Sequence, residues 1–164
     1  MMTQLSQPNQ AAPNDLFYEE EEETQETVSD SRKYLTFVSN GLGFAIPSDY
    51  VIEIINEHNI THLPRVPGYI KGIINLRGQI IPIMDARLRM GHPESAHTKE
   101  TCIIVISVNE NSIGLFVDKV LHMIDIPDDA ISEPPVNNNQ EFVNGITHLN
   151  NVVYLLLDCE LLLK

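Results

Sequence analysis

The chain has 164 residues, of which 10 are Lys or Arg and 23 are Asp or Glu, so its formal net charge is −13. This length suits one modest domain, and no apolar run approaches the roughly 20 residues that cross a bilayer. The short apolar runs therefore exclude insertion into a membrane. Because negative charge repels phosphate groups, binding to nucleic acids or to anionic membrane surfaces is disfavoured, and a protein partner is favoured.

The N-terminal part of the chain is polar and acidic. Eight of the 23 acids lie in Asp15–Asp30, Glu19–Glu23 form an unbroken run, and only two bases precede position 34. Since this composition offers little to bury, residues 1–33 are predicted to be a disordered acidic extension and residues 34–164 a folded domain. The chain begins without a signal-peptide pattern and has two Cys, which favours a cytoplasmic location and two buried thiols.

The predicted domain is mainly β. It contains 19 Ile and 11 Val against 4 Ala, so β-branched residues dominate and the strongest helix former is scarce. Short apolar segments with turn residues between them are typical of a barrel or sandwich. The predicted strands are Tyr34–Ser39, Gly43–Ile46, Val51–Ile55, Tyr69–Leu76, Gln79–Met84, Thr101–Val108, Ser112–Val117, Val120–Ile126, Phe142–Leu149 and Val152–Leu157.

Turn residues predict how these strands are joined. Asn40-Gly41, Asn109-Glu110 and Asn150-Asn151 each separate two apolar runs and favour hairpin turns with positive φ. The order strand, hairpin, strand, short helix occurs twice, which predicts two similar small barrels. The helical pieces are predicted to be at most two turns long: Pro47–Tyr50, Ala86–Met90, Pro127–Ile131 and Leu157–Leu163.

The sequence shows no pattern typical of an enzyme. It has no nucleotide-binding, P-loop, serine-hydrolase or zinc-protease motif. Its histidines are spread over loops and separate predicted strands, so we expect no catalysis, no metal and no cofactor. The alternative is a small β-barrel that binds a metal or ligand through His58, His62 and Asp or Glu neighbours. The histidines are His58, His62, His92, His97, His122 and His148.

A basic segment, Leu63–Gly91, interrupts the acidic chain. Two predicted strands meet at Arg77-Gly78, where Gly78 can adopt the positive φ of a tight turn, so Arg77 is placed at a hairpin tip. A guanidinium held there suits recognition of carboxylates or carbonyl groups on a partner. Gly72 within a strand indicates a bulge or the close approach of another backbone. The segment holds five bases, Arg65, Lys71, Arg77, Arg87 and Arg89, against one acid, Asp85.

This segment resembles the CheW family of chemotaxis coupling proteins. The similarity rests on Lys71-Gly-Ile-Ile-Asn-Leu-Arg-Gly78 followed by Ile81-Pro-Ile-Met-Asp-Ala-Arg87. It extends over nearly all of residues 34–164 and includes Ile113–Val120, Phe142–Ile146 and the closing Leu156–Leu162. Ala86 departs from the family, which usually has Leu at this position.

The resemblance implies two five-stranded, SH3-like β-barrel subdomains around a shared core, with short helices. It implies a non-enzymatic adaptor that links the cytoplasmic tip of methyl-accepting chemoreceptors to the regulatory domain of the histidine kinase CheA, in membrane-associated arrays. Family members also form rings with CheW-like domains. The alternative is a scaffold or competitor in another chemosensory pathway, such as type IV pilus twitching.

The resemblance also implies two sets of contact residues. Receptor contacts are expected on an early strand and on the Arg77 hairpin, where Gly72 would let a receptor helix approach closely. Kinase contacts are expected at apolar barrel ends. The receptor set is Val51, Glu53, Ile54, Gly72, Asn75, Arg77 and Gly78. The kinase set is Ile83, Met84, Ala86, Leu88, Met90, Leu115 and Val117.

Overall fold

The computed structural model describes residues 30–56, 59–93, 98–134 and 141–163. Nearly all described residues belong to one compact unit, residues 32–164. Residues 1–29 of the predicted acidic extension lie outside the described residues.

The described residues form eleven strands, two short α-helices and two 3-10 turns. All ten predicted strands are present, and each of the four predicted helical pieces contains one helix or 3-10 turn. The strands are β1 (Ser31–Ser39), β2 (Leu42–Pro47), β3 (Val51–Ile55), β4 (Ile70–Leu76), β5 (Gln79–Asp85), β6 (Cys102–Val108), β7 (Asn111–Val117), β8 (Lys119–Pro127), β9 (Ile131–Ser132), β10 (Val143–Leu149) and β11 (Val152–Leu157). The helices are α1 (Ala86–Arg89) and α2 (Cys159–Leu162), and the 3-10 turns are Ser48–Tyr50 and Asp128–Ala130.

The strands form two sheets, which confirms the predicted mainly β class. One sheet has the order β3-β6-β7-β5-β4, and the other has the order β8-β1-β2-β11-β10-β9. The second sheet has six strands instead of the predicted five because Ile131–Ser132 pairs with β10 through Ile146 and Thr147.

Burial follows the position of each strand. β6 lies inside its sheet and is buried along almost its whole length, whereas β3 at the sheet end alternates between partly buried and exposed residues. A strand covered on both faces needs apolar side chains at successive positions, which the run Ile103-Ile104-Val105-Ile106 supplies.

The largest apolar cluster is shared between the sheets. Phe37 and Phe44 of the six-stranded sheet stack at 5.6 Å, and they belong to the same cluster as Ile104 and Leu115 of the five-stranded sheet. Ile103, next to Ile104, belongs instead to a smaller cluster of the five-stranded sheet, because successive strand residues point to opposite faces. The shared core is thus built from one face of each sheet.

The two sheets repeat one local arrangement. β5 runs parallel to β7 and leads into α1, and β11 runs parallel to β2 and leads into α2. Asp85 and Asp158 cap these helices by accepting hydrogen bonds from the Arg87 and Leu161 amides. This finding confirms the predicted repetition of strand, hairpin, strand and short helix.

Both cysteines are buried, as predicted from their apolar surroundings. Burial raises the pKa of both thiols, and it raises that of Cys159 to about 12. Neither thiol therefore forms a reactive thiolate near neutral pH.

Candidate functional site

The five-stranded sheet curls so that its two ends approach one another. β3 and β4 lie at opposite ends of the strand order. Nevertheless, Arg77 at the end of the β4–β5 hairpin contacts Glu53 of β3. The segment after β3 also pairs with β4, since the amides of Thr61 and Ile73 donate to each other's carbonyl oxygens at 2.8 and 2.9 Å. These contacts join the two ends of the sheet.

The hairpin tip holds Arg77 in a defined backbone conformation. Leu76 pairs with Gln79, which leaves a two-residue turn. Arg77 and Gly78 both have positive φ, 53° and 85°, as a type I′ turn requires. The Asn75 side chain accepts a hydrogen bond from the Gly78 amide at 2.9 Å. The left-handed conformation of Gly78 was predicted, whereas that of Arg77 was not.

Arg77 and Glu53 form a bidentate ion pair. Arg77 Nη1 donates to Glu53 Oε1 at 2.6 Å, and Nη2 donates to Oε2 at 3.2 Å. These hydrogen bonds lower the pKa of Glu53 and raise that of Arg77. The Arg77 side chain remains 73% exposed, against 26% for Glu53. The pair is therefore preorganised and still accessible to a partner.

Exposed isoleucines lie on β3, which carries Glu53, and on β5, which follows the turn that carries Arg77. Ile52 and Ile54 on β3 are 52% and 41% exposed, and Ile80 on β5 is 56% exposed. Ile54 was predicted from the family resemblance, but Ile52 and Ile80 were missed. Two features of the sequence could have identified them. Ile52 and Ile54 occupy alternate positions of a strand at the end of the sheet, and Ile80 lies directly opposite Asn75 in the hairpin. These exposed isoleucines lie next to the charged pair along the chain, and exposed apolar residues near an accessible charge are typical of a protein-binding region.

Val51 and Gly72 are less accessible than predicted. Val51 packs partly against the shared core. Gly72 is buried, and a Cβ atom there would lie 2.1 Å from the carbonyl oxygen of Thr61. The register also shifts between Ile70 and Gly72, as expected of a bulge. The predicted close approach is therefore made by the protein's own backbone, and the expectation that Gly72 admits a receptor helix stays a prediction.

Most of the predicted kinase contacts are core residues. Side chains this buried offer a partner little surface, and the assignment of the whole set as kinase contacts stays a prediction. Leu88 and Met90 are partly exposed and remain available. The buried ones are Ile83, Met84, Ala86, Leu115 and Val117.

A buried ionic cluster lies at the start of α1. Asp85 is fully buried and accepts hydrogen bonds from Arg87 Nε at 3.1 Å and Nη2 at 2.9 Å. Arg87 Nη1 donates to the Asp118 carboxylate at 3.1 Å, and that carboxylate also accepts a hydrogen bond from the backbone N–H of Asn40 at 2.8 Å. Burial by itself would raise the pKa of Asp85, but the hydrogen bonds and charge of Arg87 outweigh it and hold that pKa below its ordinary value.

This cluster connects the two sheets. Asp85 ends β5 of the five-stranded sheet, whereas Asn40 lies in the β1–β2 turn of the six-stranded sheet. Lys71 on β4 adds a contact to Asp85 at 3.8 Å. Sequence reasoning missed the cluster, although Asp85 is the lone acid of the basic segment.

The structure describes only part of the histidines considered for the alternative metal site. His58 and His97 lie outside the described residues, and His62 Nδ1 lies 2.9 Å from the carbonyl oxygen of Lys71. Within the described ranges, no group of three His, Cys, Asp or Glu side chains is placed to hold a metal ion. None of the helices in these ranges has the length and apolar character that a membrane span requires.

Comparison with known proteins agrees with this architecture. The family model for the CheW-like domain matches residues 33–164. The chain is 28% identical to the chemotaxis protein CheW of Helicobacter pylori over 156 residues, 92% of this chain and 94% of that protein. It is 34% identical to CheW of Bacillus subtilis over 108 residues, 66% and 69% of the two chains. It is also 33% identical to protein PilI of Pseudomonas aeruginosa over 127 residues, 76% and 71% of the two chains.

A solved structure shares the fold. The crystal structure of the scaffolding protein TtCheW from Thermoanaerobacter tengcongensis superimposes with a TM-score of 0.73 at 30% identity, covering 77% of this chain and 88% of that chain. The match spans most of both chains, so the similarity concerns the whole two-sheet architecture. The chain therefore belongs to the family of CheW-like domains, the chemotaxis coupling adaptors that its sequence resembles.

Proposed function

We propose that this protein is a non-enzymatic adaptor that couples the cytoplasmic tip of chemoreceptors to the regulatory domain of a CheA-type histidine kinase. The observation that carries the proposal is the accessible, bidentate Arg77–Glu53 pair, with exposed isoleucines on β3 and β5, on a domain of the CheW-like family. The adaptor holds receptor and kinase in one complex so that a receptor signal biases kinase activity, which is a coupling between binding states. It acts in the cytoplasm at membrane-associated receptor arrays.

The receptor contacts the β3 and hairpin surface. Ile52 and Ile54 supply an apolar strip that fits the apolar face of a receptor helix. Arg77, already oriented by Glu53, donates to carbonyl or carboxylate groups at the end of that helix. The exposed Asn75 and Gly78 complete the hairpin tip, and Val51 contributes at the edge of the strip.

The kinase contacts a different face, which includes the partly exposed Leu88 and Met90 of the α1 region. This face lies at the opposite end of β5 from the Arg77-Gly78 turn. Two separate faces allow receptor and kinase to bind at the same time, as a coupling function requires.

The test is a reconstitution of this protein with the kinase and a receptor cytoplasmic fragment from the same organism, with kinase autophosphorylation as readout. We expect Arg77→Ala to weaken receptor binding by about tenfold or more and to retain kinase binding. Arg32→Ala is the matched control, because it removes an exposed Arg of β1, in the six-stranded sheet, from an ion pair with Asp49. Equal receptor affinity of wild type and Arg77→Ala would contradict the proposed receptor site.

A related function is a scaffold of another chemosensory pathway. The similarity to PilI is about as high as that to Bacillus CheW, 33% against 34% identity. Receptor fragments from different chemosensory systems, offered in parallel, identify the pathway by the fragment that binds. Binding of wild type without kinase activation would favour the scaffold over the activator.

A further inference from the structure

Arg89 of α1 is held between two aromatic rings. Its guanidinium carbon lies 4.7 Å from the ring centre of Tyr69 and 4.4 Å from that of Phe142. Tyr69 precedes β4 of the five-stranded sheet, and Phe142 precedes β10 of the six-stranded sheet. Two cation–π contacts from different parts of the domain restrict the side chain to one position.

Arg89 has no acidic partner in the described ranges, although acids outnumber bases 23 to 10 in the chain. Its Nε atom is buried and forms no hydrogen bond there. The residue as a whole is partly exposed, and of its three guanidinium nitrogens only Nε is buried without a hydrogen-bond partner. Six other bases do form ion pairs: Arg32, Lys33, Lys71, Arg77, Arg87 and Lys119.

An oriented guanidinium without a partner is suited to one kind of ligand group. Its planar fork matches a carboxylate with two parallel hydrogen bonds. The two rings hold the fork before the ligand arrives, so little side-chain freedom is lost on binding. Partly exposed Leu88 and Met90 flank it in sequence and offer apolar contact around the charge.

Arg89 is remote from the proposed receptor surface. The Arg77-Gly78 turn precedes β5 and α1 follows it, and seven strand residues at about 3.3 Å each separate the two ends by roughly 20 Å. A receptor helix tip that contacts Arg77 lies about this far from Arg89, which favours a different partner for a group that binds at Arg89.

We propose that Arg89 binds an Asp or Glu side chain of the kinase regulatory domain, within the proposed kinase face that includes Leu88 and Met90. The inference rests on the proposed adaptor function and adds to it the chemistry of the kinase contact: an acidic residue surrounded by apolar ones on the partner.

The test measures binding of the full chain separately to the kinase regulatory domain and to the receptor fragment. We expect Arg89→Met, which keeps a long side chain between the rings, to weaken kinase-domain binding by about tenfold or more. We expect its receptor affinity to equal that of wild type. Kinase-domain binding of wild type should also fall more steeply with salt than that of the variant. Arg65→Met is the matched control, because it removes the same charge from an exposed side chain.

The outcomes separate this inference from the proposed function. If wild type binds both partners and Arg89→Met binds the kinase domain equally well, the Arg89 site is wrong and the adaptor function stands. Loss of receptor binding in Arg89→Met, or an equal loss of kinase binding in Arg65→Met, would also overturn the site. If wild type binds neither partner, the proposed function itself fails. Far-UV circular dichroism and melting curves verify that both variants are folded.

Discussion

Arg77 combines an uncommon backbone conformation with an accessible charge. Among the described residues, seven non-glycine residues have positive φ, and four of them are Asn, which tolerates this region better than Arg does. The Asn75 side chain and the Glu53 carboxylate provide hydrogen bonds that fix the turn and the guanidinium. Backbone strain at an accessible charged residue is typical of a binding site.

The Arg77–Glu53 pair should be visible in a titration. We expect Arg77→Ala to raise the pKa of Glu53 back toward its ordinary value, because the hydrogen bonds that lower it are lost. In wild type, the stabilisation from this pair is present above the unfolded-state pKa of Glu53 and is lost as pH falls through the lower folded-state pKa. Carboxyl-carbon NMR measures the titration, and an unchanged Glu53 pKa would contradict the pairing. The melting temperature should change little, since the pair is exposed.

Gly72 and Gly78 offer a matched pair of substitutions. Both have positive φ, but a Cβ atom at Gly72 meets the Thr61 backbone, whereas one at Gly78 meets nothing within 4 Å. We expect Gly72→Ala to lower the free energy of unfolding by about 2–4 kcal/mol, and Gly78→Ala to lower it by only about 1–2 kcal/mol. Urea unfolding measures both, and equal losses would contradict the role given to Thr61.

At the scale of the element, α1 is a junction. Its cap Asp85 and its residue Arg87 belong to the buried ionic cluster, and Arg89 contacts rings that precede β4 and β10. A four-residue helix has little stability of its own. Its position is therefore determined by these contacts, which tie both sheets to it.

The ionic cluster makes a prediction for stability. We expect Arg87→Met to lower the free energy of unfolding by about 3–5 kcal/mol, because Asp85 is left as a buried and poorly compensated charge. Asp85→Asn added to Arg87→Met should recover part of this loss, and strictly additive losses in urea unfolding would contradict the coupling.

The same cluster predicts a response to acid. Because the pKa of Asp85 is below its ordinary value of 3.8, its stabilisation is complete above pH about 4 and is lost as pH falls through the lower folded-state value. Asp85→Asn should therefore be less stable than wild type near neutral pH, and its unfolding free energy should fall less between pH 4 and pH 2. Parallel acid dependence in the two proteins would contradict this assignment.

At the scale of the whole molecule, one shared core joins the two sheets. Its residues come from strands that are distant in the chain, such as Phe37 of β1 and Leu115 of β7. The first buried apolar residue of the described chain is Tyr34, which is 6% exposed and belongs to a smaller cluster of the six-stranded sheet. β1 begins three residues before the predicted domain start at position 34, so the boundary remains a prediction.

Two truncations test that boundary. A chain that begins at Ser31 should keep the unfolding free energy of the full chain within about 0.5 kcal/mol, because β1 and the described core remain complete. A chain that begins at Leu35 should lose about 2–4 kcal/mol, since the buried Tyr34 is removed. A large loss in the first truncation would show that the acidic segment belongs to the folded domain.

The sequence by itself determined the strands, the turns and the family. Strand positions follow from β-branched residues in short runs, and turns such as Asn150-Asn151 follow from residues that tolerate positive φ, because both signals are local. The motif around Arg77 identified the family for the same reason. The two-residue strand β9 was missed because Ile131–Ser132 is too short to show a period.

Only the tertiary structure decided which residues face a partner. Met84 and Leu115 are as apolar as the exposed Ile52 and Ile80, yet they are buried, because burial depends on what packs against the other face of the strand. The curl of the five-stranded sheet brings Glu53 to Arg77 and Thr61 to Gly72, and folding places Arg89 between Tyr69 and Phe142. These contacts join residues far apart in the chain, so no local pattern of residues predicts them.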